Sequence, residues 1–214
     1  MAKTHHLNEY ASPDHALRYL SQADSIPHRT EGEATLLEFI PQKVQRMLDL
    51  GTGDGRLLAM LRTARQDAEG IALDFSPTMI KAAKDRFRND PKVQVVEHNL
   101  EHPLPDLGPF DVIVSSFAIH HCSDVRKRQL YTEIFNALSP GGVFYNLEHV
   151  SSPTIELHGR FLRSLGLNEG EEDPSNKLLD VETQLQWLRE IGFQNVDCYW
   201  KWLELAVIGG SKTK

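Results

Sequence analysis

Apolar residues fall along this chain in two alternating rhythms. Short, nearly continuous runs have the length and β-branched content of buried strands: VQRMLDL (44–50), GIALD (70–74), KVQVVEH (92–98), the opening of FDVIVSSFAIHH (110–121) and VFYNLEHV (143–150). Between them lie segments with helical spacing. One starts near Asp54. A second, SPTMIKAAKDRF (76–87), has Ser76 as N-cap with Pro77 behind it. A third, DVRKRQLYTEIFNALSPGG (124–142), is stopped by Pro140 and Gly141. Continuous apolar strands alternating with amphipathic helices predict an α/β fold with a parallel sheet covered on both faces.

The flanks read differently. Ahead of the first strand, residues 12–23 predict a helix with Ser12 as N-cap, Pro13 in its first turn and Leu17 and Leu20 inward. A second helix follows Pro27, carries Leu36, Leu37, Phe39 and Ile40, and ends at Pro41. After Val150 the pattern predicts a helix within 151–166 and an acidic, turn-rich lid candidate, LNEGEEDPSNK (167–177). A helix over 180–192 and a hairpin within 193–210 follow. The expected organisation is one domain, with an N-terminal helical cap (1–41), a core (42–150), and a closing lid, helix and hairpin (151–214).

Composition narrows the possibilities. The chain has 214 residues, 40% of them hydrophobic, which is enough for one substantial core. A net charge of -7 offers no basic footprint, so a nucleic-acid partner is disfavoured. The cluster Arg126, Lys127 and Arg128 is read as a solvated helix face, because consecutive residues cannot share one face. Cys122 and Cys198 lie far apart, and no stretch reads as a signal peptide or membrane span; a cytoplasmic protein without a disulfide framework is expected. Trp187, Trp200 and Trp202 sit in the tail helix and hairpin, where core or homodimer packing is expected.

The candidate chemistry begins at MLDLGTGDGRLL (47–58), where Gly51, Gly53 and Gly55 alternate with Thr52 and Asp54, and Asp49 precedes them. A strand, a glycine-rich turn and a helix form a nucleoside-cofactor cradle. Arg56 stands where a third dinucleotide-fingerprint glycine would fall, and carboxylates at Asp49 and Asp54 would repel a pyrophosphate. They suit a ligand whose near end carries an ammonium and a sulfonium, as S-adenosyl-L-methionine does. Asp74 ends the next strand about twenty residues on, where a carboxylate receives both ribose hydroxyls. Phe75 and Met79 offer apolar partners to adenine. Asn99, after the third strand, can bond the adenine amino group, and the main-chain N–H of Leu100 a ring nitrogen. Ser115 and Ser116 end the fourth strand at the crevice edge, followed by His120 and His121.

Taken in order, LDLGTGDG, LDFSPTMI, HNLEHPLP, FDVIVSSFAIHH and LSPGGVFYNLE resemble the motifs of class I S-adenosylmethionine-dependent methyltransferases. The resemblance implies a Rossmann-like seven-stranded sheet of order 3-2-1-4-5-7-6 with its last strand antiparallel. Asn99 departs from the Asp common at that place. Within the superfamily the chain looks most like enzymes of the tRNA wobble-uridine group, which includes carboxy-S-adenosylmethionine synthase; SIPHR (25–29) resembles that group's cofactor-enclosing segment. By position Arg29 reaches toward the methionine carboxylate. A carboxylated sulfonium needs a further basic partner, whereas 169–173 supplies Glu169, Glu171, Glu172 and Asp173.

The expected reaction is therefore in-line methyl transfer to an O or N atom of a small-molecule acceptor, with no metal required. His121, then His120, are the candidate general bases, because imidazole suits neutral pH. Glu148 and His149, at the end of the fifth strand, rank second. The competing readings are an RNA-modifying enzyme and a non-catalytic S-adenosylmethionine-binding regulator.

Overall fold

A computed structural model describes residues 10, 12–22, 25–168 and 170–214; Glu169, Ala23 at the end of the predicted 12–23 helix, and most of the first eleven residues of the predicted cap lie outside the described residues. Two helices, α1 (Pro13–Gln22) and α2 (Arg29–Glu38), precede the alternating core. The core runs β1 (Arg46–Leu50), α3 (Arg56–Ala64), β2 (Glu69–Asp74), α4 (Pro77–Phe87), β3 (Val93–Glu97), β4 (Phe110–Ser116), α5 (Asp124–Ala137) and β5 (Leu138–His149). Then come α6 (Ile155–Ser164), α7 (Val181–Ile191), β6 (Gln194–Trp202) and β7 (Leu205–Ser211).

The seven strands order as β3-β2-β1-β4-β5-β7-β6. β1 to β5 are parallel, and β7 runs antiparallel to both β5 and β6. The strands are apolar on both sides because both faces are covered. Met47, Val112 and Val114 pack with α3 residues Leu57, Leu58 and Leu61 on one face. Leu48, Leu50 and Ile113 pack with α5 residues Leu130, Tyr131 and Ile134 on the other. The direction of connection reverses between β1 and β4, which opens a crevice beyond the carboxyl ends of the strands.

Several local readings need correction. α5 stops at Ala137, and Leu138 to Gly141 already belong to β5. Leu138 pairs with Phe110, and the register shifts before Val112; a strand's first residues at an irregularity tolerate Pro140. Ser76 sits at the N-cap of α4, but its hydroxyl makes no cap hydrogen bond. Leu17 is 55% exposed, and the inward residue of α1 is Ala16.

The largest correction concerns the basic cluster. Arg126 and Lys127 are buried, not solvated. Arg126 donates from Nε to Leu100 O (2.6 Å) and from its terminal nitrogens to His102 O (2.8 Å) and both Glu133 oxygens (2.6 and 2.8 Å). It clamps the segment after β3 onto α5. Lys127 Nζ donates to Asp124 Oδ1 (2.9 Å) and to the carbonyl of Lys177. Arg126→Leu would leave two carbonyls without this donor and the Glu133 carboxylate with only the Leu104 N–H (2.9 Å). We expect it to cost about 3 kcal/mol, read as a fall in the urea midpoint; an unchanged midpoint would show that the clamp is ornamental.

Candidate active site

The glycine loop follows β1 in a conformation that side chains disfavour: φ is 66° at Gly51, 58° at Gly53 and 82° at Gly55. The three glycines nonetheless serve different needs. A Cβ on Gly51 would lie 2.2 Å from the Ala118 Cβ, and one on Gly55 2.4 Å from the Phe87 ring. A Cβ on Gly53 would meet only Met79 Sδ, at 4.0 Å, because Gly53 borders a cavity.

Asp74 braces this loop. Its Oδ2 accepts the Gly53 N–H (2.8 Å) and its Oδ1 the Ser76 N–H (2.9 Å), so one carboxylate ties the glycine turn to the start of α4. Burial pushes Asp74 up to about 6, against the pull of those N–H donors. Asp49 is buried more deeply and pushed up to about 7, while the Thr52 hydroxyl donates to its Oδ2 (2.6 Å). Asp54 faces the same cavity but is an ion-paired group: Arg86 bonds both its carboxylate and its carbonyl oxygen. Asp54's charge is thus met within the protein by Arg86, so of the two carboxylates that argued against pyrophosphate only Asp49 is left to the ligand.

A cavity of about 80 Å³ lies beyond the ends of β1, β2, β3 and β4. Arg29, Asp49, Gly51, Thr52, Gly53, Asp54, Asp74, Phe75, Met79, Asn99, Leu100, Ser116 and His121 all line it. Three sequence candidates lie elsewhere. Ser115 is fully buried with its hydroxyl on Leu50 O (2.8 Å). Gly55 caps α3 against Phe87. His120 faces a second cavity.

The walls also contain residues the sequence reading missed, among them Tyr10, Tyr19, Arg56, His98 and Phe117. Glu33, fully buried, holds Arg29 (2.9 Å) and Arg56 (2.8 Å) together at the α2 side. Phe117 adopts a left-handed backbone (φ 51°), rare for a bulky residue, and its ring borders both cavities beneath the Arg29 guanidinium. His98 could have been suspected from its place beside Asn99 at the end of β3.

Four buried side-chain atoms in this wall have no hydrogen-bond partner among the described residues: Asp49 Oδ1, His98 Nε2, Ser116 Oγ and His121 Nε2. Buried polar atoms are nearly always satisfied, so this concentration marks a place where a polar ligand completes the bonding. Carboxylates, an apolar wall at Phe75 and Met79, and open space beside Gly53 fit a molecule with a ribose, an adenine and a cationic tail.

His121 is set by its own neighbours. Its Nδ1 lies 3.0 Å from Ser175 Oγ, whose hydroxyl donates to Asp173 Oδ1 (2.6 Å). Burial raises Asp173, but the Ser175 hydrogen bonds and His121 outweigh it and hold the carboxyl low, so it is ionised and accepts. The Ser175 proton is therefore committed to Asp173. Ser175 Oγ then accepts from His121 Nδ1–H, leaving the lone pair on Nε2. Burial, then the neighbouring His120, pushes His121 down to about 3; it is neutral at working pH, not poised near neutrality. His120 is likewise held well below the usual imidazole range by burial, and its Nδ1 shares a 2.6 Å hydrogen bond with Glu148 Oε1. The segment read as a lid is fastened at one end: Lys177 N–H donates to His120 O (2.9 Å) and Lys177 Nζ to His121 O (2.6 Å).

Among the described residues no group of three His, Cys, Asp or Glu side chains is placed to hold a metal, and no helix is long and apolar enough to cross a membrane.

Comparison with known proteins agrees with this fold. A family model described as a methyltransferase domain matches residues 47–142. The chain is 23% identical to carboxy-S-adenosyl-L-methionine synthase of Helicobacter hepaticus, across 88% of this chain and 87% of that protein. It is 32% identical to demethylmenaquinone methyltransferase of Thermus thermophilus, across 64% of this chain and 60% of that one. Among solved structures, an O-methyltransferase family protein from Burkholderia thailandensis superposes with a TM-score of 0.72 at 16% identity, over 97% of this chain. The present chain spans 63% of that structure, less than two thirds of its length. The domain match, these relatives and the shared fold together indicate a class I S-adenosylmethionine-dependent methyltransferase, with S-adenosyl-L-methionine as its cofactor.

Proposed function

We propose that the chain transfers a methyl group to an O or N atom of a small-molecule acceptor. The observation that carries this reading is the cluster of buried atoms, His121 Nε2 among them, that line one cavity and have no partner among the described residues. Asp74 receives the ribose hydroxyls on lone pairs that the Gly53 and Ser76 N–H groups leave open. Phe75, Met79, Asn99 and Leu100 enclose the adenine. The Arg29–Glu33–Arg56 cluster, with two guanidiniums to one carboxylate, faces the methionine carboxylate. When bound, the cofactor supplies an electrophilic methyl on sulfur. The protein contributes alignment, exclusion of water and a proton acceptor.

His121 Nε2 is the proton acceptor. Asp173, behind it through Ser175, and Glu148 pull its basicity upward without overcoming burial, so His121 is a weak base that takes the proton once transfer of the methyl has made that proton acidic. His120, bonded to Glu148 and with its ring centroid 4.0 Å from that of His121, is a positioning residue in this reading. The synthase-like alternative is less well supported. Glu172 and Asp173 line the second cavity, adding negative charge beside the reaction zone where an extra carboxylate on the cofactor would need a cation.

The pH dependence of cofactor affinity tests the ribose assignment. A carboxyl pushed up to about 6 is protonated below that pH and loses its charge-assisted hydrogen bonds. Affinity for S-adenosylhomocysteine should be full above the Asp49 and Asp74 range and fall as pH drops through about 7 to 6. Asp74→Asn should weaken binding by about 1.5–3 kcal/mol, and most of its remaining pH dependence should belong to Asp49. Calorimetric titration finding equal affinity for wild type and Asp74→Asn would remove Asp74 from the ribose.

A further inference from the structure

A second cavity of about 180 Å³ abuts the first, sharing Tyr10, Tyr19 and Phe117 as common walls. Its size is close to the roughly 150 Å³ that accommodates benzene in an apolar protein cavity, so it suits one ring with a short arm. α6 and the segment after it supply much of its apolar side through Phe161, Leu162, Leu165 and Leu167. The remaining wall is polar and carries carboxylates. Glu172 and Asp173 are in the wall, and Glu204, held low by its hydrogen bonds in spite of burial, lies behind His149; Glu148, behind His120, is raised by burial and is not counted with them.

The cations nearby do not reverse that sign. His120 is neutral through burial. His158, raised chiefly by its hydrogen bond to Glu204, is shared between Glu204 (2.8 Å) and Glu172 (3.3 Å), one imidazolium against two carboxylates. His15 meets Asp173 at 3.3 Å. Lys127 and Lys177 bond Asp124 and backbone carbonyls behind the histidines, outside the cavity wall. Arg29, 5.3 Å over the Phe117 ring, lines the first cavity and is ion-paired with Glu33 (2.9 Å). Aromatic rings of Tyr10, Tyr19 and Phe161 complete surroundings that favour a cation over an anion.

We propose that this second cavity is the acceptor chamber and that it takes a small ring-bearing amine, its apolar body against α6 and its basic nitrogen toward Glu172 and Asp173. The inference rests on the methyltransferase reading of the first cavity and narrows its acceptor class. The shared wall at Phe117, with His121 on the cofactor side and His120 on the acceptor side, is where the two ligands meet.

The test uses the full chain saturated with S-adenosylhomocysteine and three probes of equal shape: benzylamine, benzyl alcohol and benzoate, titrated by calorimetry and by ligand-observed NMR. The expected order is benzylamine first and benzoate last, with about tenfold or more between them. Glu172→Gln should reduce that spread. Leu165→Trp, which fills the apolar side without touching the charges, should weaken all three. Benzoate binding as well as benzylamine, benzyl alcohol binding best, or indifference to Leu165→Trp would each overturn the proposal. Failure of S-adenosylhomocysteine itself to bind would instead refute the reading of the first cavity, so the two failures are separable.

Discussion

Gly53→Val is expected to fold and to lose cofactor binding, with S-adenosylhomocysteine affinity falling beyond the reach of calorimetry. The three loop glycines are not equivalent in this respect. Substituting Gly51 or Gly55 drives a Cβ into Ala118 or Phe87, so lost binding there would report local unfolding. At Gly53 the Cβ itself has room, with Met79 Sδ 4.0 Å away. The left-handed backbone adds about 1–3 kcal/mol of strain for a non-glycine residue, within the stability of an ordinary domain. The branched methyls, however, project into the cavity that the cofactor must fill. A cooperative thermal transition near that of the wild type, together with absent binding, is the expected pair of results. A folded Gly53→Val protein that binds normally would mean that the ligand does not pass this turn.

His121→Ala is expected to lower kcat by about 100- to 10,000-fold, the usual range for a lost general base, while leaving cofactor affinity nearly intact. The expected pH behaviour follows from burial. Because His121 is pushed down to about 3, its protonation does not shape the rate near neutral pH. An acid limb between about 7 and 6 instead reports Asp49 and Asp74 losing their charge, and kcat/KM falls there as cofactor binding weakens. The mutant should therefore keep that limb at a much lower rate. Ser175→Ala should give a smaller loss and shift the His121 tautomer, visible in the imidazole ¹⁵N resonances, with partial recovery in Ser175→Thr. If His121 only shapes the pocket, the loss appears in acceptor KM, kcat stays within a few-fold, and the tautomer shift has no kinetic counterpart.

The parts of the fold legible in the sequence were those governed by local pattern. Buried parallel strands are apolar on both faces, so β1, β2, β4 and β5 stand out as continuous runs, and Asp49, Gly53 and Asp74 mark the turns that follow. Pro140 misled because a proline reads as a helix stop, whereas here the strand has already begun at an irregularity. Arg126 and Lys127 looked solvated because their partners are carbonyls of Leu100, His102 and Lys177, groups that every residue carries and no side-chain pattern reveals. The same reason hid the state of His121. Its proton is placed by Ser175, 54 residues away, and its low basicity comes from burial that only the packed structure shows. Asp54 shows the converse: its position in the loop was right, but its charge is met by Arg86, 32 residues on.

The most direct test of the whole account is mass spectrometry of the small molecule that co-purifies with the chain, followed by single-turnover incubation of the loaded protein with an amine acceptor panel. The account predicts S-adenosylmethionine or S-adenosylhomocysteine as the bound species, and conversion of the first into the second with one methyl gained by an acceptor. A carboxylated S-adenosylmethionine in the cavity, or a bound cofactor that no acceptor ever demethylates, would contradict it.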